Sequence, residues 1–242
     1  MGTILEVEHL SKNFKGLQAV NEVSFSIHDR EIFGLIGPNG SGKTTIFNLV
    51  SGIYVPTKGS IRFQGRDITG LQPNFICREG VGRTFQITKP FLKLTVLENV
   101  TIGALNRTSS VHRAEEKARE ILVQMDLAEK ASVHGKSLSV PERKRLELAR
   151  ALATEPNLLL LDEVMAGLNP VELNEMIDVL RRIAERGISI FIVEHIMHAI
   201  MTISQRIMVL HHGEMIAIGT PKEITSNEKV IEAYLGEEFN FA

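Results

Sequence analysis

The first part of the chain combines two kinds of hydrophobic pattern. Residues 5–8 and 23–27 alternate between apolar and polar side chains, which predicts two half-buried β-strands. Residues 31–36 are mostly apolar instead, as expected of a parallel strand that is buried on both faces. A glycine-rich turn follows, and then a helix with apolar residues at 46, 47, 49 and 50. Residues 59–63 predict another short strand.

The middle of the chain changes to helical periodicity. Apolar residues recur at helical spacing over 111–125 and again over 141–153, with charged residues between them. These two segments predict amphipathic helices. We interpret residues 87–155 as a helical subdomain that is inserted into an α/β core.

The α/β pattern then returns. The four leucines at 158–161 predict a buried strand, and residues 188–193 predict another. Between them, Asn169 is a favourable helix cap, Pro170 suits a first turn, and Glu172 stands three residues after the cap. A helix over 170–185 follows from these signals, ended by Gly187. Residues 206–210 and 215–218 predict a hairpin that turns at Gly213.

This order of elements predicts a mainly parallel, three-layer α/β core with an added N-terminal antiparallel β layer. The core is expected to comprise residues 1–86 and 156–242, in one domain. The chain has 242 residues, of which 43% are hydrophobic and 23% charged, and this composition excludes intrinsic disorder. The single cysteine excludes a disulfide framework and a multi-cysteine zinc site.

Charge and hydropathy exclude two further classes. The net charge of −2 argues against a dedicated nucleic-acid-binding protein, which is normally basic. No apolar run approaches the roughly 18 residues of a membrane-spanning helix. The N-terminal residues carry neither the basic nor the apolar region of a signal peptide, so none is expected.

The glycine-rich turn after the third strand fits the phosphate-binding pattern G-x-x-x-x-G-K-[ST]. Glycines let the backbone N–H groups wrap closely around a phosphate, and the following helix adds its positive N-terminal dipole. Lys43 is expected to reach the β- and γ-phosphates and Thr44 to offer its hydroxyl to Mg²⁺. The predicted nucleotide-binding residues here are Gly37, Pro38, Asn39, Gly40, Ser41, Gly42, Lys43, Thr44 and Thr45.

Two acidic residues directly follow the buried strand at 158–161. A carboxylate at the carboxyl end of such a strand can hold Mg²⁺ beside a phosphate-binding turn, and we assign this role to Asp162. Glu163 is then placed to orient and deprotonate the attacking water. Taken alone, two acids at a strand end are equally compatible with a purely structural role.

Further motifs in a fixed order give the chain a specific resemblance. They are Thr84-Phe85-Gln86, Leu138-Ser139, Arg150-Ala151-Leu152, Ala166-Gly167-Leu168-Asn169-Pro170 and Glu194-His195. Over nearly its full length the chain resembles the ATPase subunit of ATP-binding-cassette (ABC) transporters. Residues 81–86, 94–99 and 232–236 resemble, more narrowly, the ATPases of branched-chain amino acid importers. Residues 232–236 are also similar to the lipopolysaccharide-export ATPase.

The resemblance implies a fold and further site residues. The fold is the P-loop NTPase of an ABC cassette, with the inserted helical subdomain. Gln86 is implied as the glutamine that senses Mg²⁺ and γ-phosphate, and His195 as the histidine that contacts γ-phosphate. Phe14 matches the aromatic residue that stacks on adenine, and stacking of this kind is physically general. The implied cofactors are ATP and Mg²⁺, with Thr44, Gln86 and Asp162 around the metal.

The chain departs from the family at the signature Leu-Ser-Gly-Gly-Gln/Glu. Here the sequence is Leu138-Ser139-Val140-Pro141-Glu142, and both glycines are missing. In the family this segment of one subunit contacts the γ-phosphate on the other subunit's turn. Ser139 remains, and with Glu142 it also fits a capping box. Because Pro141 lacks an N–H, we expect the nucleotide site that Ser139 of this chain completes on the other subunit to be weaker than the site on this chain's own turn.

Two clusters are interpreted structurally. His211-His212 and His198 lack a carboxylate or thiol cluster around them, so we interpret them as hairpin and helix residues rather than metal ligands. The run Arg143-Lys144-Arg145 is interpreted as a solvated helix face in preference to a phosphate contact. Val164 and Asn169 replace a proline and an aspartate that are usual in the family.

The leading interpretation is an ATPase that powers a membrane transporter. The implied partners are a second ATP-binding subunit in a head-to-tail dimer (a different one favoured), permease subunits that dock near Gln86 and the helical subdomain, and indirectly an extracytoplasmic binding protein. The implied location is the cytoplasmic face of the membrane. Three alternatives stay open: the ATPase of a related export system, a non-transport ATP-driven clamp, and a catalytically dead regulatory subunit.

Overall fold

The computed structural model describes residues 2–84 and 90–238, and for 235–238 the backbone only. Its central sheet has six strands, in the order β10-β9-β3-β8-β7-β6. Neighbouring strands are parallel except for the antiparallel pair of β9 and β10. The strands are β3 (Ile32–Ile36), β6 (Val81–Arg83), β7 (Leu158–Asp162), β8 (Ser189–Val193), β9 (Arg206–His211) and β10 (Glu214–Gly219).

A second, antiparallel sheet covers one side of the central sheet. It has four strands in the order β2-β1-β4-β5. The strands are β1 (Thr3–Phe14), β2 (Leu17–His28), β4 (Lys58–Phe63) and β5 (Arg66–Asp67). The predicted mainly parallel core and N-terminal antiparallel layer are therefore both confirmed.

Helices fill the space around the sheets. The predicted amphipathic helices are α4 (Val111–Gln124) and α5 (Val140–Leu152), and the capped helix is α6 (Pro170–Glu185), whose cap Asn169 accepts from two backbone N–H groups. The others are α1 (Lys43–Val50), α2 (Pro73–Glu79), α3 (Val96–Ala104), α7 (Met197–Ile203), α8 (Pro221–Thr225) and α9 (Glu228–Glu238). Within the described residues, no helix is both long and apolar enough to cross a membrane.

The central sheet is buried on both faces, as its leucine-rich strands predict. Along β7, Leu158 and Leu160 pack with the antiparallel sheet and α1, whereas Leu159 and Leu161 pack with the helices on the other side. Helices α3, α4 and α5 share that second core with α6 and α7. Residues 87–155 thus contribute three of the described α-helices, and their status as a separate subdomain stays a prediction.

A buried ion pair joins β6, β7 and α1. The Arg83 guanidinium donates to Asn48 Oδ1 at 2.7 Å and to Ser51 Oγ at 2.6 Å, and it lies 3.5 Å from Asp162 Oδ2. The two charged side chains are only 11% and 2% exposed. Burial raises the pKa of Asp162, and the Arg83 charge opposes that rise. Arg83 therefore compensates the buried carboxylate at the end of β7.

We expect Arg83→Met to lower the free energy of unfolding by about 3–5 kcal/mol, because it leaves the Asp162 charge buried and uncompensated. Arg66→Met is the matched control. Arg66 pairs with Glu79 at 3.0 Å but is 76% exposed, so its loss should change stability by less than about 1 kcal/mol. Denaturant titration of both variants measures the difference. Equal losses in the two variants would contradict the assigned role of Arg83.

Candidate functional site: a nucleotide cleft

The glycine-rich turn lies between β3 and α1, as predicted. Gly40 and Gly42 have positive φ angles of 77° and 103°, a conformation that favours glycine. A Cβ atom on Gly42 would come within 2.5 Å of the Ala19 carbonyl oxygen. The first turn of α1 contains no acidic residue, and the first N–H groups of a helix have no partner within it. The turn is therefore built to accept an anion.

The side chain of Lys43 is fixed by hydrogen bonds to the backbone of the glycine-rich turn. Its ammonium donates to the carbonyl oxygens of Gly37 and Pro38, both at 2.7 Å, and the residue is 6% exposed. Ser41 Oγ is buried nearby and has no hydrogen-bond partner among the described residues. The lysine charge is thus fixed beside the expected phosphate position rather than free to move in solvent.

The hairpin of β9 and β10 fastens this turn to the antiparallel sheet. Gly213, at the tip of the hairpin, donates its N–H to the Ser41 carbonyl at 3.0 Å, and its own carbonyl accepts from Asn21 N at 2.8 Å. The predicted turn at Gly213 is confirmed, and the structure adds its connecting role. One peptide segment therefore links the phosphate-binding turn to β2.

The acidic side of the site begins at Asp162, the last residue of β7. Its Oδ1 atom is buried and has no hydrogen-bond partner among the described residues, whereas Oδ2 faces Arg83. A carboxylate oxygen without a partner is what a Mg²⁺ ion or its water shell would satisfy. Together with Thr44, which lines the cleft, this carboxylate therefore fits the predicted metal.

Glu163 and His195 lie in direct contact. Glu163 Oε1 and His195 Nε2 form a hydrogen bond, and the two side chains are 14% and 46% exposed. Glu163 has a φ of 52°, which costs a residue with a side chain roughly 1–2 kcal/mol. Its N–H donates to the Val193 carbonyl at 3.0 Å. The structure thus brings together two predicted residues that stand 32 positions apart.

These groups surround one cleft of about 630 Å³, a volume typical of ligand pockets. Phe14 lies in its wall, where its ring meets Tyr54 edge-on at a centroid distance of 5.1 Å. The predicted residues that line the cleft are Phe14, Asn39, Gly40, Gly42, Lys43, Thr44, Thr45, Glu163 and His195. Adenine-, phosphate- and water-binding candidates therefore share a single cavity.

Other predicted residues lie outside the cleft wall. Gly37, Pro38 and Ser41 of the turn do not line the cavity, and neither does the buried Asp162. Gln86 lies outside the described residues, so its predicted role is not located by the structure. Ser139 caps α5 elsewhere, where the predicted capping box is confirmed: Ser139 N donates to Glu142 Oε2 at 2.8 Å.

Several wall residues carry no signal that the sequence analysis used. Leu17, Gln18 and Ala19 enter the cleft because β2 starts beside the turn, and His212 enters because the β9–β10 hairpin folds onto it. The interpretation of His212 as a hairpin residue is correct but incomplete. Among the described residues, no cluster of three metal-ligating side chains occurs. Leu17, Gln18, Ala19 and His212 cannot be recognised as wall residues from local sequence, because contacts between distant segments bring them to the cleft.

The interpretation of Arg143-Lys144-Arg145 as a solvated face is wrong. Arg143 donates to the Lys136 carbonyl at 3.0 Å, and Lys144 to the Glu163 carbonyl at 3.4 Å. Arg145 bridges Asp126 at 3.2 Å and Glu175 at 2.5 Å. All three residues are half-buried, because α5 packs against α3 and α4 and these side chains bind groups on neighbouring segments.

Comparison with known proteins agrees with this geometry. Residues 20–166 match the ABC transporter family, and residues 214–240 match the branched-chain amino acid ATP-binding cassette transporter family. The chain is 39% identical over 250 residues to the high-affinity branched-chain amino acid transport ATP-binding protein BraF of Pseudomonas aeruginosa, covering 97% of this chain and 98% of the relative. The LivG protein of Salmonella typhimurium, which bears the same description, is 40% identical with equal coverage.

A solved ATP-binding cassette of an ABC transporter, in its ADP conformation, superposes with a TM-score of 0.89. It is 30% identical, and the match covers 98% of this chain and 100% of the other. The resemblance drawn from the motifs is confirmed. The chain belongs to the ABC transporter family, as one of its ATP-binding and ATP-hydrolysing subunits.

Proposed function

We propose that ATP binds in the cleft with its phosphates on the Gly37–Thr44 turn and its adenine on Phe14, and that Glu163 activates the attacking water. The observation that carries this proposal is the contact of Glu163 with His195 within the cavity that Lys43 and Thr44 line. Lys43 stabilises the negative charge on the phosphates. His195 orients Glu163 and faces the γ-phosphate.

Mg²⁺ fits the polar groups between the turn and β7. Thr44 would hold it through the hydroxyl and Asp162 through Oδ1, directly or by way of water, and Gln86 is proposed as a further ligand from the family resemblance. Bound there, the ion would neutralise charge on the β- and γ-phosphates. The buried Oδ1 of Asp162, for which the described part of the chain offers no hydrogen-bond partner, supports this assignment.

The transported solute follows from the relatives. Since proteins at 39–40% identity are described as branched-chain amino acid transport ATP-binding proteins, we propose that this chain powers uptake of branched-chain amino acids. The match of residues 214–240 to the corresponding family model supports the same solute. The implied assembly is a head-to-tail pair with a second, different ATPase subunit, permease subunits and a solute-binding protein, with this chain on the cytoplasmic face.

A second cavity, beside β6 and the helical region, supports the proposed docking of the permease. It has a volume of about 370 Å³ and lies where α2, α3 and α5 meet β6. Apolar side chains dominate its lining, including Ile53, Ile76 and Ile102, and Ile53 and Ile102 are 43% and 42% exposed. Exposed apolar residues around a concavity are typical of a protein-binding surface.

Affinity purification of the tagged chain from detergent-solubilised membranes tests the assembly. We expect permease subunits of a branched-chain amino acid importer in the eluate. Recovery of lipopolysaccharide-export subunits would favour the function of the 34% identical relative from Haemophilus influenzae. Recovery of a soluble scaffold or nucleic acid without membrane subunits would contradict transport.

Glu163→Gln should slow ATP hydrolysis by about 10²-fold or more, because it removes the proposed base while keeping the size of the side chain. Calorimetry should show ATP binding that is retained in this variant and lost in Lys43→Ala. Glu185→Gln, an exposed change at the end of α6, is the control and should leave both measurements unchanged. A normal rate in Glu163→Gln would remove Glu163 from its role.

We also propose that the two sites of the assembled pair are unequal. The site on this chain's own turn has Glu163 and His195 in contact, whereas the site completed by its Ser139 segment lacks both signature glycines. Val140 is 55% exposed at the N-terminus of α5, where its side chain would face the partner's nucleotide. Glu142 is bound by the Lys130 ammonium at 2.7 Å, so the carboxylate and the cap stabilise this end of α5.

The combined change Val140→Gly and Pro141→Gly should raise the ATPase rate of the assembled transporter, by at most about twofold if the sites act independently. It removes a bulky side chain and restores a backbone N–H at position 141. Val140→Ala with Pro141→Ala is the control, since it restores the N–H without the freedom of glycine. An unchanged rate in the glycine variant would count against a weakened second site.

A further inference from the structure

The peptide segment that follows β7 holds Glu163 in an unusual conformation. Glu163 adopts a positive φ of 52°, a region where residues with side chains are uncommon. Its carboxylate contacts His195, which lies at the end of another strand, β8. Such a conformation persists only when surrounding contacts fix it. Two side chains to which the resemblance assigns no role make these contacts.

The first is Glu194. Its side chain is 1% exposed, and its Oε1 atom accepts a hydrogen bond from Met165 N at 2.7 Å. Met165 stands two residues after Glu163, and Glu194 directly precedes His195. A single buried carboxylate therefore ties the segment that carries Glu163 to the segment that carries its partner His195.

The second is Lys144 of α5. Its ammonium donates to the Glu163 carbonyl oxygen at 3.4 Å, and the side chain is half-buried. Lys144 acts on the other side of the same segment, since Glu163 N is bound to the Val193 carbonyl at 3.0 Å. The peptide groups from Glu163 to Met165 are thus held from α5 and from the end of β8 together.

We propose that Glu194 and Lys144 are positioning residues, which hold the backbone around Glu163 so that its carboxylate stays beside His195 and in the nucleotide cleft. The inference rests on the proposed role of Glu163 as the base. Neither residue touches the expected position of the nucleotide, because neither lines the cleft.

Charge supports this arrangement. The charged groups that face Glu194 are Lys144 of α5 and Glu163, and backbone N–H groups of Met165 and His195 also point at it. Burial raises the pKa of Glu194 to about 7, against the opposing effect of the Met165 N–H and of Lys144. Ionised Glu194 makes the stronger, charge-assisted hydrogen bond to Met165. The hydrogen bond from Met165 N to Glu194 should therefore strengthen as the pH rises through about 7, and the backbone around Glu163 should be fixed more firmly.

The raised pKa of Glu194 also makes the free energy of unfolding depend on pH. Because the pKa is higher in the folded chain, the folded state binds a proton that the unfolded state has lost between about pH 4.5 and 7. The Glu194 contribution to stability therefore falls as the pH rises through that window. Glu194→Gln keeps an acceptor oxygen and removes the charge, so this variant should melt at a higher temperature than the parent at pH 8.

The test is the steady-state kinetics of the full chain with MgATP at pH 6 and pH 8. Glu194→Ala should lower kcat by about 10-fold or more and leave KM for ATP within about twofold, because misplacing a reacting group affects the chemical step. Glu194→Gln should restore most of the rate at pH 6 and less of it at pH 8. Lys144→Met should lower kcat in the same direction.

Glu31→Gln and Lys117→Met are the controls; Lys117 is a lysine of α4 that is 40% exposed and pairs with Glu120. Glu31 is also a buried glutamate that accepts from a backbone N–H at 2.7 Å, but it lies at the far end of β3. Both controls should keep the parental kcat. If Glu194→Ala does not fold, Glu194→Gln and Lys144→Met decide the question by their rates at the two pH values.

Three outcomes overturn the proposal: a parental kcat in Glu194→Ala, parental rates in both Glu194→Gln and Lys144→Met at pH 8, or a rise in KM with kcat unchanged. The rate of Glu163→Gln is measured in parallel, so that failure of the positioning role can be distinguished from failure of the assigned base. A slow Glu163→Gln with a parental Glu194→Ala refutes the positioning role alone. A parental rate in Glu163→Gln itself refutes the assignment of the base instead.

Discussion

The parallel register of three neighbouring strands is the constraint on which the site depends. Leu35 of β3 pairs with Val193 of β8, and Val193 pairs with Asp162 of β7. The carboxyl ends of the three strands therefore stand side by side, and each is followed at once by its functional segment. The phosphate-binding turn, the acidic pair and His195 meet because this register aligns the carboxyl ends of the strands that they follow.

The meeting of these strand ends buries ionisable carboxyl groups, which protein interiors normally exclude. Asp162 and Glu194 are both buried, and burial raises the pKa of each carboxyl group. Each carboxylate faces a cation from another element, Arg83 for Asp162 and Lys144 for Glu194. Because buried charges without compensation are costly, these cations are as necessary to the site as the acids. The acidic residues thus depend on cations that other elements of the fold supply.

Local sequence patterns predict the elements and the motifs well. The leucines of β7 and the Asn169-Pro170-Glu172 start of α6 depend only on near neighbours, so their periodicity and capping signals are sufficient. Arg83 and Lys144 differ, since their partners lie 79 and 19 residues away. A charged side chain on a predicted helix has the same local pattern whether it faces solvent or a neighbouring turn. The solvated interpretation of Lys144 is wrong for this reason.

Two departures from local rules meet at the contact of Glu163 with His195. Glu163 has a backbone conformation that disfavours side chains, and Glu194 is ionisable but buried. Either feature alone lowers stability. Strain and buried charge persist at sites where geometry serves chemistry. Glu163 is one partner of the Glu163–His195 contact, and Glu194 directly precedes the other. We therefore infer that these two features, although they lower stability, fix the Glu163 carboxylate in the nucleotide cleft.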